Sequence, residues 1–223
     1  MMRLNKWLAK NTNLSRRKAD EVIAVGRVKI NGIEAKMGTL VAENDHVSID
    51  GHGIQPVVEE NISIRLNKPV GFVCSRRGQG SQTIYDLLPS YLHHLKPLGR
   101  LDKDSSGLLL MSTDGEFIHK LSHPSFNHEK TYMVTLGRPL NPDDEKLLKN
   151  GVDIGDRLPS KLGLSTTDPV RTVWQVKLTE GRNRQIRRSF ASVRHKVEQL
   201  HRTKFSTYTL EGLESGKYDN IVV

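Results

Sequence analysis

The sequence predicts an α+β protein in two parts: a small N-terminal module over residues 1–50 and a larger domain over residues 62–223 on a mainly antiparallel sheet, with residues 51–61 as linker. Three observations carry this. Apolar positions repeat at helical spacing near the N-terminus and then give way to a two-residue hairpin signal at Asn31-Gly32. Strand-like alternation recurs irregularly after residue 61, with no glycine-rich nucleotide loop of the kind that marks a doubly wound parallel sheet. Between the two parts, Gly51-His52-Gly53-Ile54-Gln55-Pro56, followed by Glu59-Glu60, has linker composition.

In the N-terminal module, Leu4, Trp7 and Leu8 share one helical face. Ser15 is placed to cap a second helix whose buried stripe is Ala19, Val22 and Ile23, and Gly26 ends it. Arg27 to Ile30 alternates as a half-buried strand, Asn31-Gly32 tolerates the positive φ angles of a tight hairpin, and Val47 to Ile49 supplies another strand. In the larger domain, strands are expected at Ile62–Leu66 and, after a turn at Lys68-Pro69-Val70-Gly71, at Phe72–Cys74. An apolar run from Leu108 reads as a buried strand, and Lys130–Leu136 and Val173–Leu178 alternate. Asn141 caps a helix with Pro142 at its first position, Asp143, Asp144 and Glu145 in its first turn, Lys149 near its end and Asn150-Gly151 as its stop. After a turn at Glu180-Gly181, a helix is expected from Arg182 onward, with Ile186, Phe190 and Val193 as its apolar stripe.

The formal net charge of +9 points to a polyanionic partner, since lysines and arginines that neutralise phosphates gain affinity by releasing counterions. Arg182, Arg184, Arg187, Arg188, Arg194, Lys196, Arg202 and Lys204 cluster with Glu198 as their only acidic neighbour. No apolar run approaches the thickness of a bilayer, which excludes a membrane helix, and no membrane partner is expected. Met1 to Trp7 is too polar for a secretory signal, and a single cysteine, Cys74, permits neither an internal disulfide nor a cysteine metal cluster. Cytoplasmic residence is expected, and a monomer.

Three segments hold candidate chemistry. Gly99-Arg100-Leu101-Asp102-Lys103-Asp104-Ser105-Ser106-Gly107 sets two carboxylates beside an arginine just before the buried strand. By itself the loop reads equally as a surface turn with Arg100 paired to Asp102 or Asp104, and as a site where a carboxylate has a chemical task. Glu129-Lys130-Thr131-Tyr132-Met133-Val134 places a tyrosine in a strand, which alone reads as packing. Glu180-Gly181-Arg182-Asn183-Arg184-Gln185-Ile186-Arg187-Arg188-Ser189-Phe190 alone reads as a phosphate-binding helix face.

Together, in this order, the three segments resemble the motifs of the bacterial ribosomal-RNA pseudouridine synthases. Leu14-Ser15-Arg16-Arg17-Lys18-Ala19, Gly26-Arg27-Val28 and Val28-Lys29-Ile30-Asn31-Gly32 resemble the alpha-L RNA-binding module of a small-subunit ribosomal protein. The resemblance implies a pseudouridine synthase catalytic domain that isomerises a uridine within ribosomal RNA without a cofactor or metal. It implies Asp102 as the catalytic residue acting at the ribose, Arg100 filling the space left by the displaced base, Tyr132 lying against the uracil, and Arg187 pairing with Asp102; Asp104 holds the loop. Candidate RNA contacts are Arg3, Lys6, Arg16, Arg17, Lys18, Arg27 and Lys29 in the module, with Arg184 and Arg188 in the larger domain. The Asn183 to Arg188 run is more similar to large-subunit members, so 23S RNA is the expected target and 16S RNA the alternative. Leu158 to Thr167 is less like the family, and the chain stops at Val223 without a long tail; both bear on which RNA is the substrate.

Two competing classes are weighed against this. A non-catalytic ribosome-binding or RNA-chaperone protein would use the same basic surfaces, but gains nothing from a carboxylate among phosphate-binding arginines. A metal-dependent nuclease or glycosidase would need a third carboxylate or a histidine cluster at ligand spacing near Asp102 and Asp104, and the nine histidines are scattered. His93, His94 and His123 are expected on surfaces or at helix ends, and Cys74 as a small core residue.

Overall fold

The structure, a computed structural model, describes residues 1–57, 60–123 and 126–222. Glu59 of the expected linker lies outside the described residues. The chain forms two compact units, Met1–Glu60 and Asn61–Val223.

In the first unit, α1 (Leu4–Asn11) and α2 (Arg16–Ala24) bury Leu4, Leu8, Ala19, Val22 and Ile23 against Val28, Val41 and Val47. The Ser15 hydroxyl accepts the Lys18 amide at 3.2 Å, satisfying a donor that the first helical turn leaves open. The strands β1 (Val28–Ile30) and β2 (Ile33–Glu34) join through Asn31 and Gly32 at φ +50° and +81°. β1 also pairs with β3 (Val47–Ile49), which pairs in turn with β4 (His52–Gly53). This last strand corrects the expected linker. His52 and Gly53 complete a four-stranded sheet, and Ile54 packs on the core of the first unit. Glycine content alone does not distinguish a linker from a tight hairpin.

The second unit is built on one mixed sheet. Its main strands are β5 (Ser63–Lys68), β6 (Ser106–Ser112), β7 (Lys130–Leu136), β8 (Gly163–Ser165), β9 (Val173–Leu178), β10 (Val197–Phe205) and β11 (Tyr218–Asn220), with the short strands Lys96–Pro97 and Tyr208–Thr209 added beside β6 and β10. They run in the order β8-β9-β7-β10-β6-β5-β11. Every neighbouring pair is antiparallel except β10 and β6. β6 lies near the middle and is covered on both faces. Leu108 and Leu110 meet Phe117, Leu121 and Phe205 on one side, while Leu109 and Met111 meet Ile64, Leu66 and Ile84 on the other. Double burial explains why this strand is continuously apolar rather than alternating.

Helices cover the rest. α3 (Gly115–Ser122) is absent from the sequence reading; its signal is Asp114, whose carboxylate accepts the Glu116 and Phe117 amides, with Phe117 and Leu121 one turn apart. α4 (Pro142–Asn150) is capped by Asn141 and ends at Gly151 as expected. α5 (Gln185–Ser192) starts three residues later than expected: Arg184 adopts left-handed φ +45°, so Arg182 and Asn183 precede the helix. Val193 caps its end, half-buried against the same core as Ile186 and Phe190. The expected strand at Phe72–Cys74 is reduced to a single bridge between Val73 and Thr83. Among the described residues no helix is long and apolar enough to cross a membrane.

The junction of β6 and β10 tolerates no side chain. Gly107 sits at φ +107°, and a Cβ there would lie 2.2 Å from the Arg202 carbonyl oxygen. Gly107→Ala is therefore expected to cost about 3 kcal/mol, from backbone strain together with overpacking. Urea unfolding at constant slope measures it; a midpoint equal to wild type would show that the two strands can separate freely here.

Candidate active site

The loop between Leu98 and Ser106 is held by its backbone. Lys68, at the end of β5, is wholly buried and donates from Nζ to the carbonyls of Pro69 (3.0 Å), Asp102 (3.1 Å) and Ser105 (2.7 Å). Burial lowers its pKa from the ordinary lysine value, and three converging carbonyl dipoles compensate the charge in place of a carboxylate. The Ser105 amide donates to the Asp102 carbonyl at 3.1 Å, the Lys103 carbonyl accepts from the Gly71 amide, and Cys74 Sγ accepts the Leu101 amide at 3.4 Å. The carboxyl group of Asp102 is thereby spared any structural task and stays about one-third exposed. Cys74 is a half-buried packing residue whose thiol pKa is raised by burial.

From the opposite side, the start of α5 closes on this loop. Arg184 grips Asp104 with both terminal nitrogens, at 2.9 and 2.8 Å, and its Nη1 lies 3.4 Å from Asp102 Oδ2. The hydrogen bond from Arg184 holds the Asp104 carboxyl below the usual carboxylate range. Arg187 donates to the Asp104 carbonyl and the Val197 carbonyl, both at 2.7 Å, and its Nε lies 3.3 Å from Asp104 Oδ2. Its burial lowers the guanidinium's pKa. The expected pairing is thus shifted. Arg184 is the arginine within ion-pair reach of Asp102, while Arg187 secures Asp104 and the neighbouring backbone.

Other members of the basic cluster are also committed. Arg188 pairs bidentately with Asp156 and donates to the Ile154 and Asn183 carbonyls; Arg182 meets Glu180, Asp156 and two carbonyls. Arg202 is buried. Arg184 and Arg188, both expected on RNA, are neutralised by Asp104 and Asp156, which arrive from distant parts of the chain; Arg184 also lines the cavity of the site.

The loop and the start of α5 enclose a cavity of about 530 Å³. Arg100, Asp102, Arg184, Tyr132, Lys130 and Arg202 are among its lining residues. Tyr132 is half-buried, with its ring packed against two cores and the Arg202 guanidinium 6.0 Å from its centre. Arg100 is exposed at the rim. The sequence reading gives Lys68, Lys130 and Arg202 no role in the site, placing Lys68 in a turn, Lys130 in a strand and Arg202 in the basic cluster; the structure sets Lys130 and Arg202 in the cavity wall and Lys68 against the loop's carbonyls. No group of three or more His, Cys, Asp or Glu side chains among the described residues is arranged to hold a metal ion. His93 and His123 sit at the ends of helical turns.

In the first unit, Arg3, Arg16, Arg17 and Lys29 are exposed and Lys6 is half-buried. Lys18 is paired to Glu21 at 2.6 Å, and Arg27 grips Asp50 with two nitrogens while remaining exposed. Arg16 and Arg17 open α2, at the end where the helix dipole repels cations, and neither has an ion-pair partner among the described residues.

This arrangement has known counterparts. Residues 63–192 match the family model of RNA pseudouridylate synthases, and residues 2–47 match the S4 domain. The chain is 35% identical over 222 residues to the ribosomal large subunit pseudouridine synthase B of Bacillus subtilis, covering 97% of this chain and 90% of that protein. It is 34% identical to the dual-specificity RNA pseudouridine synthase RluF of Escherichia coli, covering 99% and 75%. With the ribosomal small subunit pseudouridine synthase A of Pasteurella multocida it shares 35% identity, covering 99% and 96%. A crystal structure of a pseudouridylate synthase superposes with a TM-score of 0.71 at 33% identity, covering all of this chain and 96% of the other. With a carboxylate and a tyrosine lining one basic cavity, an S4 match at the N-terminus and these likenesses over nearly its whole length, the chain belongs to the RNA pseudouridylate synthase family.

Proposed function

We propose that this enzyme isomerises a specific uridine in ribosomal RNA to pseudouridine, that its target lies in the large-subunit RNA, and that it works as a cytoplasmic monomer without a cofactor. The observation that carries the reading is Asp102, whose carboxylate faces the cavity while its own backbone carbonyl is held by Lys68. Asp102 acts at the ribose, Tyr132 lies against the uracil, and Arg100 fills the space the base vacates. Extruding the base costs roughly a few kcal/mol, which contacts with the surrounding RNA must supply. The large-subunit assignment rests on the run Asn183-Arg184-Gln185-Ile186-Arg187-Arg188. Mapping pseudouridines in ribosomal RNA from cells with and without the gene tests it. A lost 23S position is expected; a lost 16S position would move the target to the small subunit, and no lost position in either would overturn the substrate.

The S4 unit is proposed to supply affinity. Arg16 and Arg17 are the first candidates, since cations at the positive end of a helix serve the fold poorly but suit an external phosphate. Arg16→Ala/Arg17→Ala is expected to leave the saturated rate unchanged, weaken RNA binding, and flatten log affinity against log salt by up to about one unit per lost phosphate contact. An unchanged slope would remove them from the interface. Deleting residues 1–55 is expected to leave a folded catalytic unit that binds RNA far more weakly, since each unit has its own core. Loss of its circular dichroism signal would refute the division.

A further inference from the structure

The cavity holds two cations that neither the loop nor the α5 wall requires. Arg202 is 2% exposed, yet among the described residues its side chain's one hydrogen bond runs from Nε to the Leu108 carbonyl at 2.7 Å. Its Nη2 is buried with no hydrogen-bond partner, and no carboxylate lies within ion-pair reach among the described residues. Lys130 lines the same wall. Its Nζ has one long contact, 3.4 Å to the His128 carbonyl, and lies 5.0 Å from the centre of the Phe205 ring, which the Arg202 guanidinium also faces at 5.3 Å. Burial, and then the charge of Arg202, lower the lysine's pKa. Aromatic faces offset part of the cost of burying such charges, but a pair of cations without a counter-ion remains expensive. That cost is repaid if the cavity holds an anion at some stage of turnover.

We infer that Lys130 and Arg202 form the end of the cavity that receives the negative charge carried away by the base, donating to a carbonyl oxygen of the uracil anion. This rests on the uridine-isomerase reading above. When the bond from C1′ to N1 breaks, its electron pair goes to the base, which becomes an anion with charge on N1, O2 and O4. Electron density at C5 then forms the C1′–C5 bond, the C5 proton leaves to a base and N1 gains one, so the formula is unchanged. The carbonyl oxygens are neutral before cleavage and charged after it. Cations placed beside them stabilise the product side of bond breaking more than bound uridine, which is the condition for raising the rate rather than the affinity. The position of Tyr132 fits: a uracil lying against that ring, 6.0 Å from the Arg202 guanidinium, brings an edge toward the two cations.

Leaving-group dependence tests the inference. Full-length Lys130→Met, Lys130→Arg and Arg202→Lys proteins would be compared with wild type in single turnovers at saturating RNA, using whichever ribosomal RNA the wild type modifies, transcribed with uridine or with 5-fluorouridine. Fluorine at C5 makes the departing base a weaker base, so bond breaking leans less on the cation. Lys130→Met is expected to slow uridine conversion on the order of 10²-fold with RNA affinity nearly unchanged, to show a several-fold smaller deficit in 5-fluorouridine consumption, and to be partly rescued in Lys130→Arg. Arg202→Lys is expected to follow the same pattern if circular dichroism shows it folded, and Lys130→Met decides the matter alone if it is not. Equal deficits on both RNAs would mean a packing role, and a wild-type rate in Lys130→Met would remove the residue from the chemistry; either overturns the inference. A wild-type protein that forms no pseudouridine in either ribosomal RNA would instead fail the functional reading on which it rests.

Discussion

Asp102→Asn is expected to lower pseudouridine formation by at least about 10³-fold, the scale on which removal of a reacting group acts. Affinity for RNA and the melting temperature should be nearly unchanged. The reason lies in how the loop is anchored. Lys68 and Ser105 hold the Asp102 backbone carbonyl, and the Asp104 side chain and carbonyl bind Arg184 and Arg187, so the Asp102 carboxyl supports none of the loop's shape. Asparagine keeps the volume and still offers an oxygen to Arg184, but lacks the charge needed to attack C1′ or take a proton from the ribose. Tritium release from uracil C5 measures turnover, and filter binding measures affinity. An Asn variant that turns over near the wild-type rate would remove Asp102 from the chemistry.

The second expectation separates two arginines that lie three positions apart. Arg184→Ala should lower the saturated rate on the order of 10²-fold with little change in stability, since Arg184 is 43% exposed and is the cation in ion-pair reach of Asp102. Arg187→Ala should lower the rate comparably but also destabilise the unit by about 2 kcal/mol. It would leave the Asp104 and Val197 carbonyls without their donor and free one side of the loop. Arg187→Lys should rescue poorly, because one ammonium cannot reproduce a planar fork that meets two separate carbonyls. Single-turnover rates with thermal unfolding distinguish the pair. Should Arg184→Ala leave the saturated rate intact, its contact with Asp102 has no part in catalysis; a stable Arg187→Ala would mean that the loop does not depend on that side chain.

Features closed by near neighbours were legible in the sequence. The Ser15 cap, the Asn31-Gly32 hairpin, and the helix from Pro142 to Gly151 each depend on residues within a few positions, and the structure shows them where the pattern puts them. The strands Lys130–Leu136 and Val173–Leu178 follow from alternation in the same way. Asp102 and Tyr132 were found through resemblance to a family, since alone each is as well explained by a turn or by packing. Long-range pairings were not legible. Which acid neutralises which arginine is decided by side chains brought together from 80 residues apart, as with Arg184 and Asp104, and local spacing contains nothing about such a match. A single left-handed residue at Arg184 delays the helix and points that guanidinium at the loop, moving the pairing with Asp102 from Arg187 to Arg184. In one dimension Lys68 reads as a turn lysine, Lys130 as a strand lysine and Arg202 as one more member of a basic cluster. Burial gives them their roles, because a charge removed from water must meet carbonyls, aromatic faces or an incoming anion, and only the tertiary structure determines which of these each one finds.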